Sequence, residues 1–400
     1  MPLSPECIAK IKQKEAETPE SLKRDSNVDY YHGWFFVTLN TRDAVPVLSW
    51  CEGDANKADG EPDAPRCVYT ELGKKVKECW QLIQKFHPDV IVDDCEVMPE
   101  HFHGLLFLPP TNIKHLGNII YGFMVGCSHS YWDTLGIDWR NMKDDDSAIA
   151  HKWQDRDHTR SYRGPALFVH GYNDMEPITE EDVEIKRAYI RDQARKRLIQ
   201  GDRHENFHKY RYQHSRSWTM ERCLQVITVD RTFLNDASRC IAAQEKIKAR
   251  LITDALGPAL DYMGNKSLLF GEKKLPLVCH GADAIRFEEQ KAAVLEAART
   301  GWTIVSAFIS PKERDIKQQL MVEGIPFIEI MDNGFSDKYK GTGKAFYALA
   351  ENRLCQITPW TYEYQKEGPK VSREMCLVMN ELARVICRCE DDWWKSRNRG

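Results

Sequence analysis

The segment Val97-Met98-Pro99-Glu100-His101-Phe102-His103-Gly104-Leu105-Leu106-Phe107-Leu108 constrains this chain more than any other. It reads as a strand, and successive side chains of a strand leave opposite faces. His101 and His103 therefore emerge on one face, close enough to share a metal ion. Phe102 turns the other way, into packing. Taken alone, His-x-His is equally a pair of surface or core histidines. The surrounding residues and a partner segment far downstream decide between the two.

The 400 residues suggest two or three domains. No apolar run is long enough to span a bilayer, and Met1-Pro2-Leu3-Ser4-Pro5-Glu6 opens without a signal-peptide core. The expectation is a soluble, cytoplasmic protein with no membrane partner. The 13 cysteines are scattered without C-x-x-C pairs, and Cys387-Arg388-Cys389 lacks the second pair of a zinc site. Free thiols in a reducing compartment follow. A net charge of -4 provides no global field for nucleic acid, so any such binding rests on a local basic patch.

Residues 1–27 read as a polar tail. Tyr30 to Leu39 is aromatic and β-branched, a strand ended by Asn40-Thr41-Arg42-Asp43. Residues 49–67 read as a polar loop. Leu72, Val76, Cys79, Trp80, Ile83 and Phe86 space a helix over 69–86, stopped by Pro88. Val90-Ile91-Val92 opens a strand, the histidine strand follows at 96–108, and a second helix is expected over 112–134. Lys143-Asp144-Asp145-Asp146 and Asp155-Arg156-Asp157-His158 mark an acidic insertion or long loop at about 135–163. Thr179 and Asp182 form a capping signal for a helix from Glu180 to about Gln200.

The first domain is thus expected over 28–215. A helical connector covers 216–274, with 219–262 mainly helical. From 275 to 395, apolar runs at 277–279, 303–309, 326–330 and 354–357 alternate with helical stretches at about 285–300, 312–323 and 343–352. That order predicts an α/β domain with a parallel sheet. Gly281-Ala282-Asp283, Asn333-Gly334-Phe335 and Gly341-Thr342-Gly343-Lys344 are its candidate ligand loops, the last without full Walker spacing.

Tyr189 and Gln193 are four apart and share a helix face. Arg187, Arg191, Arg195, Lys196 and Arg197 surround them. Lys209, Arg211 and several histidines follow, interleaved with Phe207, Tyr210 and Tyr212. Cations for phosphates and rings for bases suit single-stranded nucleic acid; a solvated charged face is the plain alternative.

In order, Tyr31-His32-Gly33-Trp34-Phe35-Phe36-Val37-Thr38-Leu39, Val97 to His103, Leu116 to Phe123, Leu167 to Asp174 and Glu184 to Ile190 resemble the HUH single-tyrosine transposases, most closely their REP-associated branch. The resemblance covers roughly 28–200. It implies an α+β ferredoxin-like HUH domain whose His101 and His103 hold a divalent ion, Mg²⁺ or Mn²⁺, with Gln193 as third ligand. Tyr189 is then the nucleophile of metal-dependent nicking and strand transfer on single-stranded or hairpin DNA, through a 5′-phosphotyrosine. Arg187, Arg191, Arg195, Lys196, Arg197, Lys209 and Arg211 are the implied DNA contacts, and a homodimer is one implied arrangement.

The family commonly runs from its tyrosine into Asn-Pro, where this chain has Gln193-Ala194. It also places His where this chain has Met175. The spacing from His103 to Tyr189 is longer than usual. These departures keep open a non-catalytic single-stranded nucleic-acid-binding protein with the same fold. Tyr121, Tyr131 and Tyr162 are the reserve nucleophiles. Val305 to Trp360 distantly resembles the Rossmann-like domain of DNA-processing A proteins, which bind single-stranded DNA.

Overall fold

The computed structural model describes residues 28–139, 165–169, 171–177, 179–279, 284–364 and 371–389. The polar tail, most of the acidic stretch, Tyr162 and Gly281-Ala282-Asp283 lie outside them. The chain divides into two compact units, 1–199 and 200–400.

The first unit is built on β1 (Gly33–Asn40), the hairpin β2 (Ser49–Glu52) and β3 (Arg66–Tyr69), α1 (Glu71–Phe86), β4 (Ile91–Val97), β5 (His101–Leu108), α2 (Leu116–Thr134), β6 (Asn173–Met175), α3 (Glu180–Arg191) and α4 (Gln193–Asp202). Its main sheet runs β4-β5-β1-β6, every neighbour antiparallel. With the chain order β1-α1-β4-β5-α2-β6, this is the ferredoxin-like β-α-β-β-α-β arrangement.

Thr70 starts α1 by accepting from the Gly73 backbone N–H. The helix then buries Leu72, Val76, Trp80 and Ile83 along one stripe. Trp80 lies 4.9 Å, ring to ring, from Phe102 and 5.2 Å, edge on, from Phe123 of α2. Phe35, Val37 and Leu39 of β1 complete this core with Phe102, Leu106 and Leu108 of β5. Gly104 sits on the same face as Phe102, directly beneath the Trp80 ring, and a Cβ there would run into the indole.

The opposite face of the sheet carries Trp34, Phe36 and Thr38 from β1 and His101, His103 and Leu105 from β5. Val183 and Ile190 of α3 pack there against Phe36 and Leu105. The alternation expected for the histidine strand is thus realised, with one helix layer behind it and α3 in front.

Three expectations for this unit change. The strand expected over 96–108 begins at His101, because Glu96 and Val97 end β4 and residues 98–100 turn the chain back. Residues 49–67 are not simply a loop, because Ser49–Glu52 pairs with Arg66–Tyr69; Trp50, Cys51, Cys67 and Val68 supply β-forming residues at the two ends of the polar stretch. The helix expected from 180 to about 200 divides at Asp192, which caps α3 while its carboxylate reaches forward to Lys196 at 3.0 Å.

The second unit contains β7 (Tyr210–Gln213), α5 (Met220–Thr228), α6 (Ala237–Arg250), the small hairpin β8 (Thr253–Asp254) and β9 (Gly257–Pro258), β10 (Leu260–Gly264), α7 (Ser267–Phe270), β11 (Lys274–Pro276), α8 (Ala284–Arg299), β12 (Thr303–Ser306), α9 (Pro311–Val322), β13 (Phe327–Ile330), α10 (Lys344–Ala350), β14 (Leu354–Thr358) and α11 (Arg373–Cys387). Its sheet runs β11-β12-β13-β14-β10-β7. The first four strands are parallel and in sequence order, while β10 and β7 are antiparallel additions, so the sheet is mixed.

Residues 200–215, expected in the first domain, belong to the second unit, where Tyr210 and Gln213 pair with Tyr262 and Leu260. The helical expectation for 219–262 fails at its end, where Leu260–Gly264 is a fully buried strand between β14 and β7. The first parallel strand lies at 274–276 instead of 277–279, although Leu277 continues the pairing through a 2.9 Å bond to the Val305 carbonyl.

Gly104→Ala should destabilise the first unit by about 1–3 kcal/mol through overpacking against Trp80. A fall in the urea midpoint without a change in slope would show it, and an unchanged midpoint would contradict the packing described.

Candidate active site

Register brings the site together. Thr38 of β1 pairs directly with His103 of β5, and its hydroxyl lies 2.9 Å from His103 Nδ1. That contact occupies one ring nitrogen and leaves Nε2 as the one that can bind a metal. His103 is buried, which pushes its pKa down to about 3, with the charges of His101 and Lys186 acting in the same direction. The ring is therefore a neutral imidazole at ordinary pH, the form that ligates.

His101 stands beside it, ring centroids 4.7 Å apart. Its Nδ1 is 3.4 Å from Glu100 Oε1. Glu100 in turn accepts from Arg197 at 3.0 Å. The neighbouring His101 is the first cause holding the Glu100 carboxyl below its ordinary value, followed by an opposing burial effect and then Arg197. The other oxygen, Oε2, is buried without a hydrogen-bond partner.

Tyr189, near the end of α3, faces the histidine strand. Its ring is 5.4 Å from that of His103 and 5.7 Å from that of Phe36, edge on to both. It is 39% exposed, so a large substrate can reach it. Gln193, at the start of α4, is buried and donates its amide N–H to the Tyr189 carbonyl at 3.0 Å. That leaves the amide oxygen as the atom able to accept or coordinate. Lys196 Nζ lies 4.9 Å from the centre of the Tyr189 ring. Among the described residues there is no cluster of three or more His, Cys, Asp or Glu suited to a metal. Two imidazoles and an amide oxygen are donor types that suit a divalent ion, and the carboxylate with the orphaned oxygen stands beside His101.

The basic face is largely neutralised. Arg187 bridges Asp93 and Glu184, and Arg191 pairs with Asp94 at 2.8 Å. Arg195 binds Asp59 and the Ala55 and Lys57 carbonyls. Lys196 pairs with Asp192, and Arg197 with Glu100. Burial alone would raise the Asp93 carboxyl, but Arg187 holds it below its ordinary value. Lys209 and Arg211 belong to the second unit. Lys209 donates to the Asp337 carbonyl, and Arg211 joins β7 to the buried Asp261 of β10.

Sequence reading missed Thr38, Glu100, Asp93 and Asp94. Strand pairing alone reveals Thr38; Glu100 was visible beside His101. Of the reserve tyrosines, Tyr121 is exposed on α2 and Tyr131 packs against the core behind the sheet. In the second unit, Asn333 Oδ1 accepts from the Gly334 and Glu363 backbone. A Cβ on Gly341 would lie 2.8 Å from Leu349, so that glycine permits close packing.

No protein-family model matches the chain. An uncharacterized protein of Haemophilus influenzae is 44% identical over 36 residues, 9% of this chain and 20% of that protein. The chain thus matches one fifth of that relative's length. Among solved structures, a REP-associated tyrosine transposase bound to a REP hairpin is 12% identical, with 43% of this chain and 72% of that one covered at a TM-score of 0.27. A Deinococcus radiodurans protein assigned as a transposase is 13% identical, with coverage of 43% and 98% at a TM-score of 0.23.

The buried neutral His103 carries a pH signature. Its folded pKa lies below that of a free histidine near ~6.5, so the unfolded chain binds the extra proton. The stability this represents is intact above pH ~6.5 and is lost as pH falls towards 3. His103→Gln should flatten that acid limb in denaturation midpoints measured from pH 7 to 4; an equally steep limb would contradict the burial of the ring.

Proposed function

We propose that the first unit is a metal-dependent single-strand DNA nuclease and strand transferase that uses Tyr189 as nucleophile. One observation carries the reading: two imidazoles of β5 and the Tyr189 ring meet on one face of the sheet within a single chain, with the Gln193 amide bonded to the Tyr189 carbonyl. That convergence also supports a site assembled within one protomer, without exchange of the tyrosine helix in a dimer.

His101 and His103, through Nε2, and Gln193, through its amide oxygen, would hold Mg²⁺ or Mn²⁺. The ion would supply charge on a phosphate oxygen and so make phosphorus more electrophilic. Thr38 and Glu100 orient the imidazoles. The Tyr189 phenol loses its proton, its oxygen bonds to phosphorus, and the bond from phosphorus to the 3′ oxygen breaks. The departing oxygen takes up a proton and becomes a 3′-hydroxyl, while the 5′ side remains esterified to Tyr189. Attack by another 3′-hydroxyl reverses the sequence and joins strands without an external energy source. Lys196, over the tyrosine ring, supplies a cation where negative charge collects.

Incubation with single-stranded hairpin DNA and Mn²⁺ should give a covalent protein–DNA adduct that Tyr189→Phe abolishes and EDTA prevents. An adduct that survives Tyr189→Phe would overturn the assignment. DNA binding with no adduct under any metal would favour the non-catalytic binding protein. Thr38→Val, which keeps shape but frees His103 Nδ1, should reduce metal affinity or adduct formation by about 10–100-fold.

The paired arginines set a finer expectation for DNA. Arg191 is the most exposed of them, and its Asp94 bridge is a weak surface pair. Arg191→Ala should weaken single-strand binding and reduce the slope of log affinity against log salt by about 0.7. An unchanged slope would remove Arg191 from the phosphate track.

A further inference from the structure

The β2–β3 hairpin places Cys51 directly opposite Cys67. Their sulfurs are 3.6 Å apart. Both residues are half-buried, so a small solute can reach them. Directly opposed antiparallel residues have Cα atoms about 4.5–5.5 Å apart, inside the range of about 4.4–6.8 Å that a disulfide spans. Closing the sulfurs to a bond of about 2.05 Å therefore asks for side-chain rotation and no strand movement.

We propose that Cys51 and Cys67 are a two-electron redox site, closed to a disulfide by a hydroperoxide. The idea is independent of the strand-transfer reading. Cys51 is the attacking sulfur: Cys67 keeps its proton, which has the Met98 sulfur as an acceptor at 3.6 Å, and Cys67 and then Arg197 favour the Cys51 thiolate against burial and the Glu96 and Glu100 carboxylates. The Cys51 thiolate attacks one peroxide oxygen, the O–O bond breaks, and hydroxide leaves, giving a sulfenic acid. The Cys67 sulfur then loses its proton and attacks the Cys51 sulfur, expelling the hydroxyl as water. In total, two thiols are oxidised to one disulfide and one hydroperoxide is reduced, to two waters when it is hydrogen peroxide.

The location gives the bond a structural consequence. Cys51 and Cys67 sit at the base of the loop 53–65, whose Ala55 and Lys57 carbonyls and Asp59 carboxylate grip Arg195 of α4. A Cβ at Gly53 would lie 2.6 Å from the Ala64 carbonyl oxygen, so the two ends of the loop already touch. A disulfide there would hold closed the loop that positions the start of α4, where Gln193 lies.

The test uses the full chain, reduced, stripped of metal with EDTA, and treated with hydrogen peroxide. Remaining thiols are blocked with N-ethylmaleimide and the protein is digested with trypsin. Peptides 43–57 and 67–74 should appear joined, two hydrogens lighter than their sum, and separate on reduction. Their unlinked thiol forms should be lost together. In Cys67→Ser, Cys51 should stop at the sulfenic acid and be trapped by dimedone. Cys51→Ser, with Cys67 alone, should give neither product. Amides of 53–64 should exchange more slowly after oxidation of the wild type. Recovery of both cysteines from folded, peroxide-treated protein as separate blocked or over-oxidised peptides would overturn the proposal, as would dimedone labelling of Cys67 and not Cys51.

Discussion

The pairing of β1 with β5 sets Thr38 against His103 on one face, while Trp80 closes over Gly104 on the other. Because strand periodicity is two, sliding β5 by one residue would turn both imidazoles into the apolar layer and Phe102 out of it. The Trp80–Phe102–Phe123 packing makes that slip costly, with each ring burying roughly 150–250 Å² of surface. The positions of the histidines, the contact of Thr38 with His103 Nδ1 and the placement of Tyr189 against His103 all follow from this one register. The chemistry of the front face is therefore secured by hydrophobic packing behind it.

Charge follows a different logic. The residues that look like an open cationic track are mostly paired with Asp93, Asp94, Asp59, Asp192 or Glu100. These bridges anchor α3 to β4 and α4 to the β2–β3 loop. Solvent-exposed pairs contribute little, and Arg191 is the most exposed of these at 63%, whereas the Arg195 and Lys196 side chains are each 17% exposed. A phosphate backbone would thus compete with carboxylates for each guanidinium, and net affinity reflects the difference between the two partners. Arg187, tied to a partly buried Asp93, is the least available for such an exchange.

Much of the first unit was legible. The period-two pattern of 101–108, the helical spacing of Leu72 to Ile83 and the Thr179–Asp182 cap are local signals that survive into the structure. The Tyr189–Gln193 spacing indicated a shared helix face, but the amide-to-carbonyl bond across the Asp192 break needs coordinates. Thr38 escaped because its role depends on a partner 65 residues away. The carboxylates facing the arginines escaped for the same reason. In the second unit, the order of apolar runs and helical stretches revealed the parallel strands, whereas β10 depends on pairing with the distant β14 and β7 on pairing with β10. Arg373–Cys387 was passed over although Met375, Val378, Met379, Leu382 and Ala383 repeat at helical spacing and lie in the core.

The Asp192 break has a mechanical meaning. Tyr189 ends one helix and Gln193 begins the next, yet the Gln193 amide spans the joint by bonding to the Tyr189 carbonyl. The joint is consequently bridged by a side chain as well as by the backbone. If α3 were to swing away from the sheet, it would either drag the buried Gln193 with it or snap that hydrogen bond. Movement of one side is thereby felt by the other: Tyr189 cannot travel far from the sheet without tugging on the buried Gln193 amide.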